Sequence, residues 1–249
     1  MNISVICVYN NEKQVKEQLL HSLKNQTIKH EMISIDNTSN RFRSAAVALN
    51  YGVGIATGDL LIFAHQDIYL KTNFELEIFA ECIASLEEGT IVGTQGAVYP
   101  SRNHISNLTS GEVIDKSLVY TYQDALYEVD CVDEGFFGLK RETWNHHKFN
   151  EVICDNWHLY CVEMCMNAHR NNNKVYVSPI QLHHFSKGTI SIEYMKGMKM
   201  LCKNYRKNSK YIWTTCYKVY TNAFYIQVLF YAWCANRMIR RKTLGKENG

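Results

Sequence analysis

Apolar residues along this chain fall into short runs that stop abruptly at polar clusters. Ile3 to Val8 halts at Tyr9-Asn10-Asn11-Glu12, Met32 to Ile35 at Asp36-Asn37-Thr38-Ser39, and Leu60 to Ala64 at His65-Gln66-Asp67. Runs this short suit strands, and the unbroken Leu60 to Ala64 suits one buried on both faces. Between the runs the period becomes helical. Val15, Leu19 and Leu23 recur behind an Asn10 or Asn11 cap, and a small-residue helix is expected over Ser44 to Ala56. The order β-α-β-α-β predicts an α/β fold, with a mostly parallel central sheet, right-handed crossovers and flanking helices.

Further along, Phe74, Ile78, Cys82, Ile83 and Leu86 predict an amphipathic helix, and Ile91 to Tyr99 a strand. Pro100 to Tyr127 breaks into short β-like pieces, as an insertion shaping a substrate pocket would. Val132 to Trp144 (VDEGFFGLKRETW) sets two acids before a Gly-bracketed aromatic pair, which reads equally as a turn or as a substrate-contacting loop. A helix capped by Asp155 or Asn156 is expected from Trp157 to about Arg170, then a strand over Lys174 to Val177. Ile180 to His184 leads into a turn at Phe185-Ser186-Lys187-Gly188. Ala223 to Ala235 has Gln227 as its only polar side chain. As a helix it would span about 20 Å, short of the roughly 30 Å hydrocarbon core of a bilayer, so burial in protein or a place in an interface is expected.

Composition sharpens this picture at three points. A length of 249 residues accommodates one large α/β domain, here expected over residues 1–189, with a helical extension over 190–249. Charge is divided along the chain: fifteen basic residues face twenty-three acidic ones in Met1 to Glu193, whereas Tyr194 to Lys246 holds twelve Lys or Arg and no acid. Such a tail is expected to meet something anionic, an anionic membrane surface above all. Nine cysteines without a C-x-x-C pair, and no apolar leader before Ile3, point to reduced thiols in a cytoplasmic protein whose tail can rest on the inner face of the cell membrane.

Two patterns are set aside. Gly52-Val53-Gly54 with Gly58 ends a helix and leads into a strand, the reverse of a dinucleotide fingerprint. Cys154, His158, Cys161, Cys165 and His183 lack zinc-ligand spacing. The chemistry concentrates instead at the strand end His65-Gln66-Asp67. On extended backbone His65 and Asp67 share one side while Gln66 turns away, and a carboxylate at the carboxyl edge of a sheet suits a hard cation holding a pyrophosphate.

The N-terminal strand with its Asn, Asp36 at the second strand, the Asn50-x-Gly52…Ala56-x-Gly58-Asp59 approach and the acidic strand end together resemble family 2 glycosyltransferases of the GT-A fold, over roughly Ile3 to His184. The AHQDIYL form, Trp157-His158-x-Tyr160 and His183-His184 look like the subgroup named after a streptomycin-cluster glycosyltransferase.

The resemblance implies a nucleotide-sugar donor, with Tyr9 and Asn10 lining the nucleotide pocket and Asp36 receiving the base. His65-Gln66-Asp67 stands where that family carries D-x-D. Asp67 then becomes the main ligand for Mn²⁺ or Mg²⁺, with His65 and Gln66 beside it and His184 or His183 completing the site. The family's acidic E-D pair falls on Tyr160 and Cys161, and a neutral thiol is poorly suited to remove a hydroxyl proton. Glu163, Asp155 and His158, in that order, are the remaining candidates for acid–base work. The expected activity is inverting transfer of a sugar to a cell-envelope glycan or lipid-linked acceptor. The alternative is a degenerate GT-A-fold protein that binds glycan or nucleotide without turnover. A nucleic-acid partner is not expected, since no recognisable nucleic-acid module surrounds the tail.

Overall fold

The computed structural model describes residues 1–98, 106–109, 112–113, 125–185, 190–215 and 218–244. Its N-terminal half alternates strand and helix: β1 (Ile3–Tyr9), α1 (Glu12–Val15) running through a π-helical stretch into α2 (His21–Leu23), β2 (Glu31–Asp36), α3 (Ala45–Ile55) and β3 (Leu60–Ala64). Then come β4 (Ile68–Leu70), α4 (Glu75–Ser85), β5 (Ile91–Gly93), β6 (Gln95–Val98), β7 (Ser106–Thr109) and β8 (Glu112–Val113). The second half holds β9 (Tyr127–Val129), β10 (Cys131–Val132), β11 (Phe136–Lys140), α5 (Arg141–His146), α6 (Tyr160–Arg170), β12 (Val175–Val177) and β13 (Leu182–His184). It ends in α7 (Ile192–Tyr205), a hairpin β14 (Tyr211–Trp213) and β15 (Lys218–Tyr220), and α8 (Ala223–Leu244).

Seven strands form the central sheet in the order β2-β1-β3-β11-β5-β12-β9. Five run parallel to one another; β11 and β9 are reversed. The core explains why the strands read as unbroken apolar runs. Ile6, Leu61 and Phe63 face a cluster built with α3 and α6, whereas Val5, Cys7 and Ile62 face a second cluster with α4 and the first helices. The central strand β3 is covered on both faces, so neither set of its alternate positions is polar, whereas the edge strand β2 leaves Ser34 and Asp36 exposed.

Several local expectations are corrected. Ile91 to Tyr99 is not one strand: β5 and β6 are separated at Thr94 and belong to different sheets, while Tyr99 lies outside the described residues. The expected insertion over Pro100 to Tyr127 and the turn at Ser186 to Gly188 fall largely outside them too. The helix expected from Trp157 begins at Tyr160. Its first turn is entered from Leu159 in the left-handed conformation (φ 67°), so neither Asp155 nor Asn156 caps it. Asn11 does cap α1, its side chain accepting from the Gln14 amide at 3.1 Å. Residues 190–249, expected as a helical extension, contain a hairpin between their helices, and α7 packs on α6 through Met195, Met198, Leu201 and Tyr205.

The turn that launches β3 is tightly braced. Glu31 Oε2 accepts from the Ser4 hydroxyl and from the Thr57 amide at 2.8 Å, and Arg141 donates to the Gly58 carbonyl at 2.6 Å. A methyl group on Gly58 would lie 2.5 Å from the Ser4 backbone nitrogen and 2.8 Å from the Ile3 carbonyl carbon. Backbone in a paired strand has no free end to swing aside. Gly58→Ala should therefore lower unfolding free energy by about 1–3 kcal/mol, the scale of an overpacked core. Denaturant titration measures this, and a midpoint equal to that of the unaltered chain would contradict the packing described.

Candidate active site

The fully buried strand β3 delivers its polar end to the carboxyl edge of the sheet. There the His65 amide donates to the Gly135 carbonyl at 2.8 Å, a turn follows, and the chain re-enters extended structure as β4. β13 pairs with β4 antiparallel, setting His184 opposite Ile68, and the Phe185 amide donates to the Asp67 carbonyl at 3.0 Å. Two segments far apart in sequence are thus locked together at the residues that carry the chemistry.

As a result one ligand atom from each of His65, Asp67 and His184 lies within 4.8 Å of the others. His184 Nε2 is 3.4 Å from Asp67 Oδ1, and the His65 and His184 rings stand 5.6 Å apart, edge to face. Gly135 forms the adjoining wall, where a Cβ would lie 3.0 Å from His184 Cε1 and 3.1 Å from Asp133 Oδ1. Behind His65, the Tyr160 hydroxyl meets its Nε2 at 3.0 Å and anchors the ring through one nitrogen, as outer partners do for metal-binding imidazoles.

The protonation tendencies follow from these contacts. Burial opposes charge on both Asp67 and His184, but their mutual contact outweighs it. Asp67 is held below the usual carboxylate range, and His184, helped by Asp133, is raised above the usual imidazole range. His65, buried and beside His184, is lowered. His184 Nε2 is sealed from solvent without a well-formed hydrogen bond, so the group contains an imidazole nitrogen lacking a good partner. Two imidazoles and one carboxylate fit a divalent transition ion. Mn²⁺ suits this donor set better than Mg²⁺, which prefers oxygen ligands and its own waters.

The residues expected to bind donor line the neighbouring strand ends. Tyr9 and Asp36 are register partners across β1 and β2. Asp36 Oδ1 accepts from the Thr38 amide at 2.8 Å and its hydroxyl at 2.7 Å, which holds the carboxyl below its ordinary range. Gln66 is directed at the β1 loop: its Oε1 accepts from the Asn10 and Asn11 amides at 3.0 Å each, while Nε2 donates to Asn10 Oδ1 at 2.9 Å. Gln66 and Asn10 therefore tie two strand ends together.

The expected acid–base residues are placed differently from one another. Glu163 is 1 % exposed, and both its oxygens are engaged, with the Tyr205 hydroxyl at 2.7 Å and His147 Nε2 at 3.0 Å. A general base must touch the hydroxyl it deprotonates, so this geometry makes Glu163 a tie between α6, α7 and the segment after α5. Asp155 is largely exposed and pairs with Arg43 Nε at 2.9 Å. His158 is half-buried, meets the Ser191 hydroxyl at 3.1 Å and packs edge-on against Tyr194. Burial lowers its pKa, and its charge is felt at His65. Cys161 is fully buried, and burial followed by its neighbour Cys165 raises the thiol well above its ordinary range.

The sequence offers Asp133 and Glu134 only as the two acids of a turn or substrate-contacting loop, with no assigned role; the loop between β10 and β11 places them beside this group. Asp133 Oδ1 accepts from the Gly135 amide at 2.8 Å, and Oδ2 lies 3.5 Å from the Thr215 hydroxyl. Glu134 is partly exposed as a residue, but its Oε1 is sealed from solvent without a partner. Burial first, then the charge of Asp133, pushes its pKa up to about 8. The signal available was the acid pair before Gly135-Phe136-Phe137.

This mostly parallel α/β sheet flanked by helices, with polar groups gathered at its carboxyl edge, matches GT-A glycosyltransferases of solved structure. Residues 4–220 match the sequence model of a glycosyltransferase-like family, and the chain belongs to that family. No curated protein sequence matches it significantly. Among solved structures, GalNAc-T7 with UDP, GalNAc and Mn²⁺ aligns with a TM-score of 0.57 at 13% identity, covering 80% of this chain and 48% of that one. The mannosyltransferase PcManGT from Pyrobaculum calidifontis, in complex with GDP-Man and Mn²⁺, aligns with a TM-score of 0.57 at 13% identity, over 84% and 65%. S. aureus TarS 1-349 in complex with UDP-GlcNAc gives 0.52 at 17%, over 82% and 66%. The chain thus spans about half to two thirds of these structures, and at such identities the likeness shows the shared fold.

The Glu134 setting carries a pH dependence. Its folded pKa stands above its ordinary value of 4.5, so the stability tied to its neutral form is complete below that value and is lost as pH rises through about 8. Glu134→Gln should remove this component. The unaltered chain should lose stability relative to the variant between pH 4.5 and 8, measured by denaturant unfolding across that window. Parallel pH profiles would contradict the buried, neutral assignment.

Proposed function

We propose that this protein is an inverting, family 2-like transferase, of the streptomycin-cluster subgroup, that moves a sugar from a nucleoside-diphosphate-sugar donor to a hydroxyl of a cell-envelope glycan or lipid-linked acceptor. One observation carries the reading: His65, Asp67 and His184 converge at the carboxyl edge of the sheet, beside the strand ends of Tyr9, Asn10 and Asp36. His65, Asp67 and His184 would hold the divalent ion. When bound, such an ion neutralises charge gathering on a departing diphosphate. Two structural neighbours carry Mn²⁺ together with a nucleotide or nucleotide-sugar, which supports the assignment.

The chain's own residues supply the rest. Tyr160 orients His65, and the Gln66 bridge fixes the β1 loop against the β3 turn, so the donor's diphosphate meets a preorganised edge. For the proton we assign Asp133. It is partly exposed, adjoins His184 across Gly135 and is held in place by the Gly135 amide. In the transfer the acceptor oxygen bonds to the anomeric carbon, the bond from that carbon to the diphosphate oxygen breaks, and the hydroxyl proton passes to the Asp133 carboxylate. The second reading, binding without turnover, draws on Tyr160 and the inert Cys161 standing where the family's acidic pair belongs.

Calorimetry of UDP and GDP with and without Mn²⁺, paired with nucleoside-diphosphate release from a donor panel, tests both readings. Asp67→Ala should abolish the Mn²⁺-dependent part of nucleotide affinity. Asp133→Asn should keep that affinity and slow release by about a hundredfold or more, the scale of a lost general base. Unchanged Mn²⁺ dependence in Asp67→Ala would contradict the ion site, and full turnover in Asp133→Asn would move the base to His158. Nucleotide binding by the unaltered chain without turnover on any donor would favour the second reading.

A further inference from the structure

The C-terminal elements build a surface that the transfer chemistry does not use. Helix α8 docks one face on the domain, burying Ile226 and packing Leu229, Phe230 and Trp233 against the α7 cluster. The opposite face presents Phe224, Val228 and Tyr231, at i, i+4 and i+7, with exposures of 79%, 49% and 62%. An apolar stripe of this kind gains nothing from water. Ala232 and Ala235 are also exposed.

An aromatic ladder continues this stripe across the hairpin. Tyr225 meets Tyr220 at 5.2 Å between ring centroids, Tyr220 meets Tyr211 at 4.6 Å, and Tyr211 stacks with Trp213 at 5.3 Å. Lysines lie over the ladder: Lys218 Nζ is 4.1 Å from the Tyr211 ring centre and 4.5 Å from that of Trp213, and Lys210 is 5.5 Å from Tyr211. Beside it, an open cleft of about 800 Å³ is lined by Arg206, Lys207, Ser209, Lys210, Tyr220 and Asn222.

We propose that this face is a docking surface for an anionic lipid bilayer: the α8 stripe enters the acyl boundary, Tyr and Trp lie at headgroup depth, and the lysines and the cleft take lipid phosphates. Each part matches one layer of a membrane interface. The charge division orients the molecule, because the tail from Tyr194 to Lys246 holds twelve cations and no acid while the body carries excess negative charge. The same charge argues against a second copy as occupant, since two such tails would repel. A nucleic-acid strand is disfavoured because bases stack on open ring faces, and lysine already lies over Tyr211 and Trp213. None of the described helices is long and apolar enough to cross a bilayer, so the contact is lateral. The hairpin also reaches the transfer site: Thr215, two residues after Trp213, meets Asp133. Docking would hold the cleft close to the membrane plane.

Flotation of the full chain with phosphatidylglycerol–phosphatidylcholine vesicles, against phosphatidylcholine alone, tests this. The chain should float with the anionic vesicles and lose binding as salt is raised. Phe224→Ser/Val228→Ser/Tyr231→Ser should cut partitioning by about tenfold or more, while Lys210→Gln/Lys218→Gln should cut it by about fivefold per cation. Unchanged circular dichroism and nucleotide binding would show that the variants remain folded. Equal partitioning of the triple variant and the unaltered chain, or no partitioning with either vesicle, would overturn the proposal. A light-scattering mass of two chains that the triple variant returns to one, without vesicle binding, would overturn it in favour of a self-interface.

Discussion

The antiparallel pairing of β13 with β4 is the constraint on which the site depends. β4 is only three residues long, yet it begins directly after Asp67, and its partner ends in His184. Because that register sets His184 opposite Ile68, a slip of one residue would turn the imidazole to the other face and separate it from Asp67. The pairing is secured on both sides. The Phe185 amide reaches back to the Asp67 carbonyl, and Glu75 Oε2 accepts the Gln181 amide at 2.8 Å. Strand ladders, which are stiff, thus place two imidazoles and a carboxylate whose long side chains alone would not be held.

Around this group the chain disposes of its polar groups in two ways. Some become ties: Glu163 joins three elements through His147 and Tyr205, and Gln66 joins two strand ends. Others remain incompletely satisfied near the cleft, as with Glu134 Oε1 and His184 Nε2. Buried polar atoms without partners cost stability. Glu134 Oε1 and His184 Nε2 lie beside the same sheet edge, next to the Asp67 carboxylate and Gly135.

Much of this was legible in the sequence for a plain reason. Strands covered on both faces are almost wholly apolar, the Glu31-bonded Ser4 of β1 apart, so β1 and β3 announce themselves, as do the polar residues on which they end. His65 and Asp67 followed from the same pattern. His184 was reached only through resemblance, because the pairing that brings it to Asp67 spans more than a hundred residues. Asp133 and Glu134 were legible as acids of a turn or substrate-contacting loop but not in their role, for a related cause: it depends on Gly135, whose carbonyl bonds to His65 and whose missing side chain leaves room for His184. Glu163 drew notice as an acid near the expected catalytic helix. Its burial is decided by Tyr205, forty-two residues away on α7. The hairpin strands, three residues each, are too short for any periodicity to emerge.

Two imidazoles and one carboxylate, brought together by a strand register, would hold the divalent ion. Electron spin-echo spectroscopy of Mn²⁺ bound to the full chain with UDP reads it directly, because imidazole nitrogens near the ion modulate the echo. The account predicts coupling to two histidines, reduced to one in His184→Ala and in His65→Ala alike. An echo without nitrogen modulation, or one unchanged by either substitution, would contradict it.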